Sequence, residues 1–288
     1  MAGDIKLSGA IRSNLLALQN TATLVASTQG RLSTGLKVAS AVDDAVSFFQ
    51  AKSLSDRASD LSGRKNDIDQ GISSLTTALQ AVESVEELFT QMKGLLLSAK
   101  AGTATDQASL SDQFNELAFQ VNHLVEDASY QGLNLVNSTT STLKVAFSEK
   151  SSSYLSVTGS SNQVSLFTGF GGPASNVASL ATGLAVGWSA AGTGVSMFDV
   201  AVANLDTAIT TLRSNAKTLG SNVSLLKTRL DFTSTYVNTL TQGSDKLTLA
   251  DLNEEGANLV ALQTRQQLAT QALAFAGQSE QSVLQLFS

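Results

Sequence analysis

Proline occurs once in this chain of 288 residues, at Pro173 near the middle. A proline inside a helix removes a backbone hydrogen bond and clashes with the preceding turn, at a cost of about 3 kcal/mol. Residues 1–138 and 196–288 lack it altogether, so unbroken rods are permitted there. Apolar residues in both stretches recur at helical spacing. From Ile11 they run through Leu15, Leu18, Ala22, Val25, Leu32 and Leu36, alternating steps of four and three with Gln29 filling one position. That is the 3.5-residue period of a coiled-coil seam.

Gly35 interrupts this first rod, and Ser40 precedes Asp43 and Asp44, whose oxygens suit the unpaired amides and positive end of a new helix. The spacing predicts a second helix over about 44–99 and a third over about 106–129, ending at Gly132. A fourth runs from about Met197 to Tyr236, with Leu205, Ile209, Leu212, Leu219, Val223 and Leu226 on its buried face. A turn around Gln242-Gly243-Ser244 then leads into a last helix from about Leu249 to Phe287. Residues 139–195 differ in kind: eight of the 21 glycines, Pro173 and the single Trp188 fall there. The runs TLKVAF and SYLSVTG alternate as short strands do. The fold class is mainly α, with long antiparallel helices, coiled-coil termini and a small β-containing insert. The expected organisation is 1–40, 41–138, 139–195, 196–243 and 244–288.

The last helix carries two apolar stripes. One passes through Leu252, Leu259, Leu262, Ala269, Leu273, Ala276, Val283 and Phe287; the other through Ala261, Leu268, Ala272, Phe275 and Leu286. A helix apolar on two faces touches more than one neighbour. The N-terminal helix can cover one stripe, so the second implies contact with other copies, or disorder until that contact is made.

Composition narrows the partners. Charged residues make up 15% of the chain and the net charge is −6. Basic residues form no stripe able to neutralise a phosphate backbone, so nucleic acid is not expected. Cysteine is absent, which removes disulfides, thiolate metal sites and thiol nucleophiles. The start of the chain has no apolar core of secretory-signal length. No run suits a membrane span, since Gly183, Gly187, Gly192 and Gly194 break the best candidate. Residues 169–174 match G-x-G-x-x-A formally but lack the flanking strand, helix and acidic residue of a dinucleotide site. His123, the single histidine, has Glu126 one turn away and reads as a solvent-facing pair. The triplets at Asn137 and Asn222 read as chance glycosylation matches. No catalytic, metal or cofactor site is expected.

Several segments resemble bacterial flagellin, over about residues 3–137 and 200–288. NLLALQNT is followed by RLSTGLKVASAVDDAVSF, similar to the family's LSSGLRINSAKDDAAG signature, on which Gly35, Asp43, Asp44 and Ala45 fall. Then come LSDRASDLS, the helix QGISSLTTALQAVESVEELFTQMKGLLLSA, NHLVEDASYQGLNLVN and the closing ADLNEEGANLVALQTRQQLATQALAFAGQSEQSVLQLF. The short middle and the ending resemble alphaproteobacterial members. The resemblance implies a subunit that polymerises into the flagellar filament, outside the cell and exported without a cleaved signal peptide. It implies contact with many copies of itself (paralogues included), an export chaperone on the last helix, and filament cap and hook-junction proteins. The alternative is the hook-filament junction protein, whose usual proline after the paired aspartates is replaced here by Ala45. The expected packing surface comprises Ile11, Leu15, Leu18, Val25, Leu32 and Leu36 with Leu259, Leu262, Leu268, Leu273, Phe275, Val283 and Phe287. Thr90, Gln91, Lys93, Gly94 and Leu95 align with the segment that the vertebrate innate receptor contacts in other members. They depart from its LQRIREL pattern, with Gln91 in place of an arginine and Gly94 in place of an acidic residue.

Overall fold

The computed structural model describes residues 9–162 and 194–286. Its helices are α1 (Gly9–Thr34), α2 (Ala45–Ala101), α3 (Ala104–Asp127), α4 (Gly194–Thr248) and α5 (Leu252–Leu286). Two antiparallel hairpins lie between α3 and α4 in sequence. They are β1 (Ser129–Tyr130) with β2 (Leu133–Asn134), and β3 (Thr142–Ala146) with β4 (Tyr154–Thr158). At 1.5 Å per residue, α2 with its 57 residues is about 85 Å long. The expected class, mainly α with a small β insert, is the one observed. The glycine-rich match at 169–174 and Phe287 lie outside the described residues, and of Val283 only the helical backbone is described.

The chain divides into two units, Ser59–Val237 and the pair of segments Met1–Ala58 and Asn238–Ser288. The first holds the hydrophobic core. On α2, Ile68, Leu75, Val82, Phe89 and Leu96 recur every seven residues and are completely buried. Buried Phe198, Leu205, Leu212, Leu219 and Leu226 repeat at the same interval on α4. Phe114, Ala118, Val121 and Val125 of α3 join the same cluster. Three ion pairs link α2 to α4: Arg213 Nε donates to Glu86 Oε1 at 2.7 Å, Lys93 Nζ to Asp206 Oδ1 at 2.5 Å, and Lys100 to Asp199. Residue numbers fall along α4 as they rise along α2, so the two helices run antiparallel.

Helix α3 begins at Ala104, two residues before the expected Asp106, because Thr103 and Asp106 form a capping box. The Thr103 amide donates to Asp106 Oδ2 at 3.1 Å, and the Asp106 amide to Thr103 Oγ1 at 3.4 Å. Between β1 and β2, Gln131 and Gly132 both have positive φ, 50° and 81°, the requirement of a two-residue type I′ turn. Tyr130 Oη and Gln131 Nε2 both donate to Gln70 Oε1, at 2.8 and 3.0 Å, tying this turn to α2. The pair β3–β4 coincides with the alternating runs read in the sequence. It turns Val145 and Val157 into the core. After β4, buried Asn162 donates its amide to Val136 O at 3.0 Å and accepts from Asn215 Nδ2 of α4 at 3.0 Å.

The second unit consists of α1, α5, the first turns of α2 and the end of α4. Helix α1 ends at Gly35, whose φ of 72° is a left-handed cap open to glycine; its amide closes on Arg31 O at 2.8 Å. Leu36, expected on the helical stripe, instead makes an antiparallel bridge with Leu249. Around it the Lys37 amide donates to Thr248 O at 2.8 Å and the Ala250 amide to Gly35 O at 2.9 Å. The expected turn at Gln242-Gly243-Ser244 does not form, and α4 stays helical to Thr248. The glycine serves close approach there: a Cβ on Gly243 would sit 3.3 Å from Leu54 Cδ1. Beside it, Ser244 Oγ donates to Ala51 O at 3.1 Å.

Candidate assembly surface

Helices α1 and α5 pack along each other. On α1 the least exposed positions are Ile11, Asn14, Leu18, Thr21, Val25, Thr28 and Leu32, a strict alternation of three and four. The seam therefore follows Asn14, Thr21 and Thr28 where the sequence pattern pointed to Leu15, Ala22 and Gln29. Thr21 can sit there because its hydroxyl donates to Ala17 O at 2.8 Å, so no polar group is left unsatisfied. Leu15 falls on the exposed side. On α5 the seam is Glu255, Leu259, Leu262, Gln266, Ala269, Leu273 and Ala276. Arg31 Nη1 donates to Glu255 Oε1 at 3.0 Å across it. Polar groups at a few seam positions fix register at some expense of stability. Leu252, placed on this stripe by its spacing, is exposed at the first residue of α5.

Among the described residues nothing covers the second stripe of α5. Phe275 is 72% exposed and Leu268 is 60% exposed, with Val260 beside them at a similar level. Leu15, Leu16 and Leu24 are exposed on α1, and Leu249 and Leu252 between α4 and α5. At and just before the start of α2, Val42, Val46 and Phe49 are also exposed. Val42 lies in the turn before the helix, and the step of three places Val46 and Phe49 on one face. Sequence reading passed over this last trio, although the same periodicity was there to find. Of the sixteen exposed large hydrophobic side chains among the described residues, eleven lie in this unit. The core cluster lies entirely in the other. An apolar surface so concentrated is a candidate interaction site.

Asp43 and Asp44 organise the turn between α1 and α2. Asp43 Oδ2 accepts from Ser40 Oγ at 3.0 Å, the Ser40 amide at 2.9 Å and the Ala39 amide at 3.1 Å. Asp44 accepts from Ser47 Oγ at 2.7 Å and from the amides of Val46 and Ser47, capping α2. The hydroxyl bond from Ser40, then the amides, holds the Asp43 carboxyl below the usual carboxylate range. The Ser47 hydroxyl, followed by its amide, does the same for Asp44. A carboxyl depressed in the folded state adds stability above its unfolded pKa and loses it as pH falls through the folded value. Below about pH 4, the first turn of α2 will therefore fray. Amide exchange at Val46 and Ser47, corrected for intrinsic rate, will rise on acidification in the native chain. It will stay nearly flat in Asp44→Asn, which keeps a capping oxygen but cannot titrate.

Elsewhere the surface offers little chemistry. His123 is exposed on α3 and makes no ion pair with Glu126. Among the described residues no three His, Cys, Asp or Glu side chains converge as metal ligands, and no helix is long and apolar enough to cross a membrane. A groove lined by Ser59, Asp60, Gly63, Arg64, Asp67 and Glu149 is open and has its arginine paired with Asp67. Thr90, Gln91 and Gly94 are exposed on α2, Leu95 is half-buried, and Lys93 is held by Asp206.

Two family models match the chain. The bacterial flagellin N-terminal helical region covers residues 8–141, and the bacterial flagellin C-terminal helical region covers residues 202–287. The chain is 31% identical over 279 residues to flagellin FljM of Caulobacter vibrioides, spanning 95% of each protein. It is 29% identical over 287 residues to a flagellin of Brucella melitensis, spanning 100% of this chain and 99% of that one. Among solved structures, a putative flagellar hook-associated protein from Vibrio parahaemolyticus shares the fold. Its TM-score is 0.60 at 12% identity, covering 72% of this chain and 100% of that one.

Proposed function

The chain belongs to the bacterial flagellin family, and from that premise we propose how its surfaces serve the flagellar filament. It is a structural subunit that polymerises, and its work is mechanical: packed helices carry motor torque along the polymer. The observation that carries the reading of its surfaces is the uncovered stripe of α5. In the filament, Leu268 and Phe275 meet neighbouring copies, while Leu259, Leu262 and Leu273 stay on the seam with α1. Ile11, Leu18, Val25 and Leu32 supply the other side of that seam. Leu15, Leu16 and Leu24 add an outward face of their own. Nothing favours the junction-protein alternative.

Export and handling follow from the same surface. Before assembly the bare stripe needs a cover, and an export chaperone on α5 supplies it. The subunit then reaches the growing tip through the flagellar export apparatus. Cap and hook-junction proteins meet the same α1–α5 pair.

Electron microscopy of the purified chain, before and after removal of residues 1–34 and 252–288, tests this reading. Long filaments from the intact chain and none from the trimmed one are expected. Filaments from both would overturn it.

The surface of α2 bears on recognition by the host. The innate receptor reads a helix that in other members carries an arginine and an acidic residue where Gln91 and Gly94 stand here. A guanidinium forms forked bonds that an amide cannot, so receptor activation by this chain will be weak. Potency in a reporter-cell assay equal to that of a flagellin bearing LQRIREL would contradict this.

A further inference from the structure

The apolar seam between α2 and α4 repeats every seven residues, so hydrophobic periodicity alone does not single out one register. Leu75, Val82, Phe89 and Leu96 recur every seven residues on α2, and Phe198, Leu205, Leu212, Leu219 and Leu226 do so on α4. Sliding one helix by seven residues sets large apolar side chains against large apolar side chains again. Burial alone therefore does not exclude the slip.

The three ion pairs have the same period. Glu86, Lys93 and Lys100 are seven apart on α2; their partners Arg213, Asp206 and Asp199 are seven apart on α4. The order of signs on each helix is not uniform, and that makes the ladder directional. A slide one way brings Lys93 to Arg213 and Lys100 to Asp206, one repulsive contact and one attractive. A slide the other way brings Glu86 to Asp206 and Lys93 to Asp199, again one of each. Only the observed register makes three attractive pairs and no repulsive one. We infer that these six residues are the register key of the α2–α4 pair. They discriminate against seven-residue slips that hydrophobic periodicity alone does not exclude. Exposed pairs of this kind contribute little to stability individually. Their role is to exclude alternatives, as charges flanking a coiled-coil seam do. The key acts within one chain and does not depend on polymerisation.

The test uses zero-length carbodiimide coupling of the full-length monomer, with cross-linked peptides identified by mass spectrometry. The native chain will yield Lys93–Asp206 and Lys100–Asp199 products. In Glu86→Lys/Lys93→Glu the observed register carries two repulsive contacts. One slip instead sets the introduced glutamate against Arg213 and Lys100 against Asp206, both attractive. The Lys100–Asp199 product will fall at least tenfold in this variant, through a Lys100–Asp206 product or through loss of the folded pair. Adding Asp206→Lys/Arg213→Glu restores three attractive pairs in the original register and will restore the Lys100–Asp199 product to the native level. An undiminished Lys100–Asp199 product in the double variant would overturn the inference. So would failure of the fourfold variant to recover it; the register would then rest on the core and on the Asn162–Asn215 bond.

Discussion

Changing Leu268 and Phe275 together to aspartate will leave the isolated subunit folded and stop it polymerising. Both side chains are exposed in the single chain, so their loss opens no cavity, and neither belongs to the seam with α1. Burying a large apolar side chain is worth about 1.5–3 kcal/mol. Two of them represent about 3–6 kcal/mol at each subunit contact. Every 1.4 kcal/mol is a factor of about ten in an equilibrium constant. The critical concentration for filament growth will therefore rise by roughly a hundred- to ten-thousand-fold, before any charge repulsion is counted. Seeded growth followed by sedimentation measures it, with far-ultraviolet circular dichroism of the monomer as the control. A critical concentration within threefold of the native value would exclude this stripe from the polymer contacts.

Phe89→Ala will do the reverse. Phe89 is completely buried in the core of Ser59–Val237, between the turns of α2 that carry Val85 and Met92. Removing a buried phenyl ring costs about 3–5 kcal/mol, part of it lost transfer energy and part the cavity left behind. Domains are stable by only about 5–15 kcal/mol, so the change removes a large share of the total. Urea unfolding of the monomer, which reports this unit, will show the unfolding free energy reduced by that amount, as a lower midpoint with little change in slope. Phe89→Leu, which refills most of the space, will recover more than half of the loss.

The long helices and the β3–β4 hairpin were legible because their signals are local: no proline, steps of three and four, then strict alternation. The surplus stripe on α5 was legible for the same reason, since Leu268, Ala272 and Phe275 keep one face whatever covers them. Which stripe α1 covers was not legible from α5 alone. The seam of α1 slipped by one position at every second step because threonine ranks low as a core residue. A hydropathy reading does not register that Thr21 satisfies its own hydroxyl through Ala17 O. Gly243 misled in the opposite sense. Its flexibility suggested a turn, whereas the chain stays helical there and Leu54 comes close to where a side chain would begin. The ion pairs between α2 and α4 join residues 99 to 127 positions apart, beyond the reach of any window of sequence.

The bridge that joins Leu36 to Leu249 is built from main-chain groups, with Lys37 and Ala250 contributing only their amides. Apart from Gly35, held at a left-handed φ, such a joint does not depend on which side chains its residues carry. Mutational drift on either strand can therefore proceed without the two partners having to change in concert. Beyond that glycine, the base of the α1–α5 pair is anchored by chemistry that every residue except proline carries, which leaves the outward faces free to diversify while the joint beneath them persists.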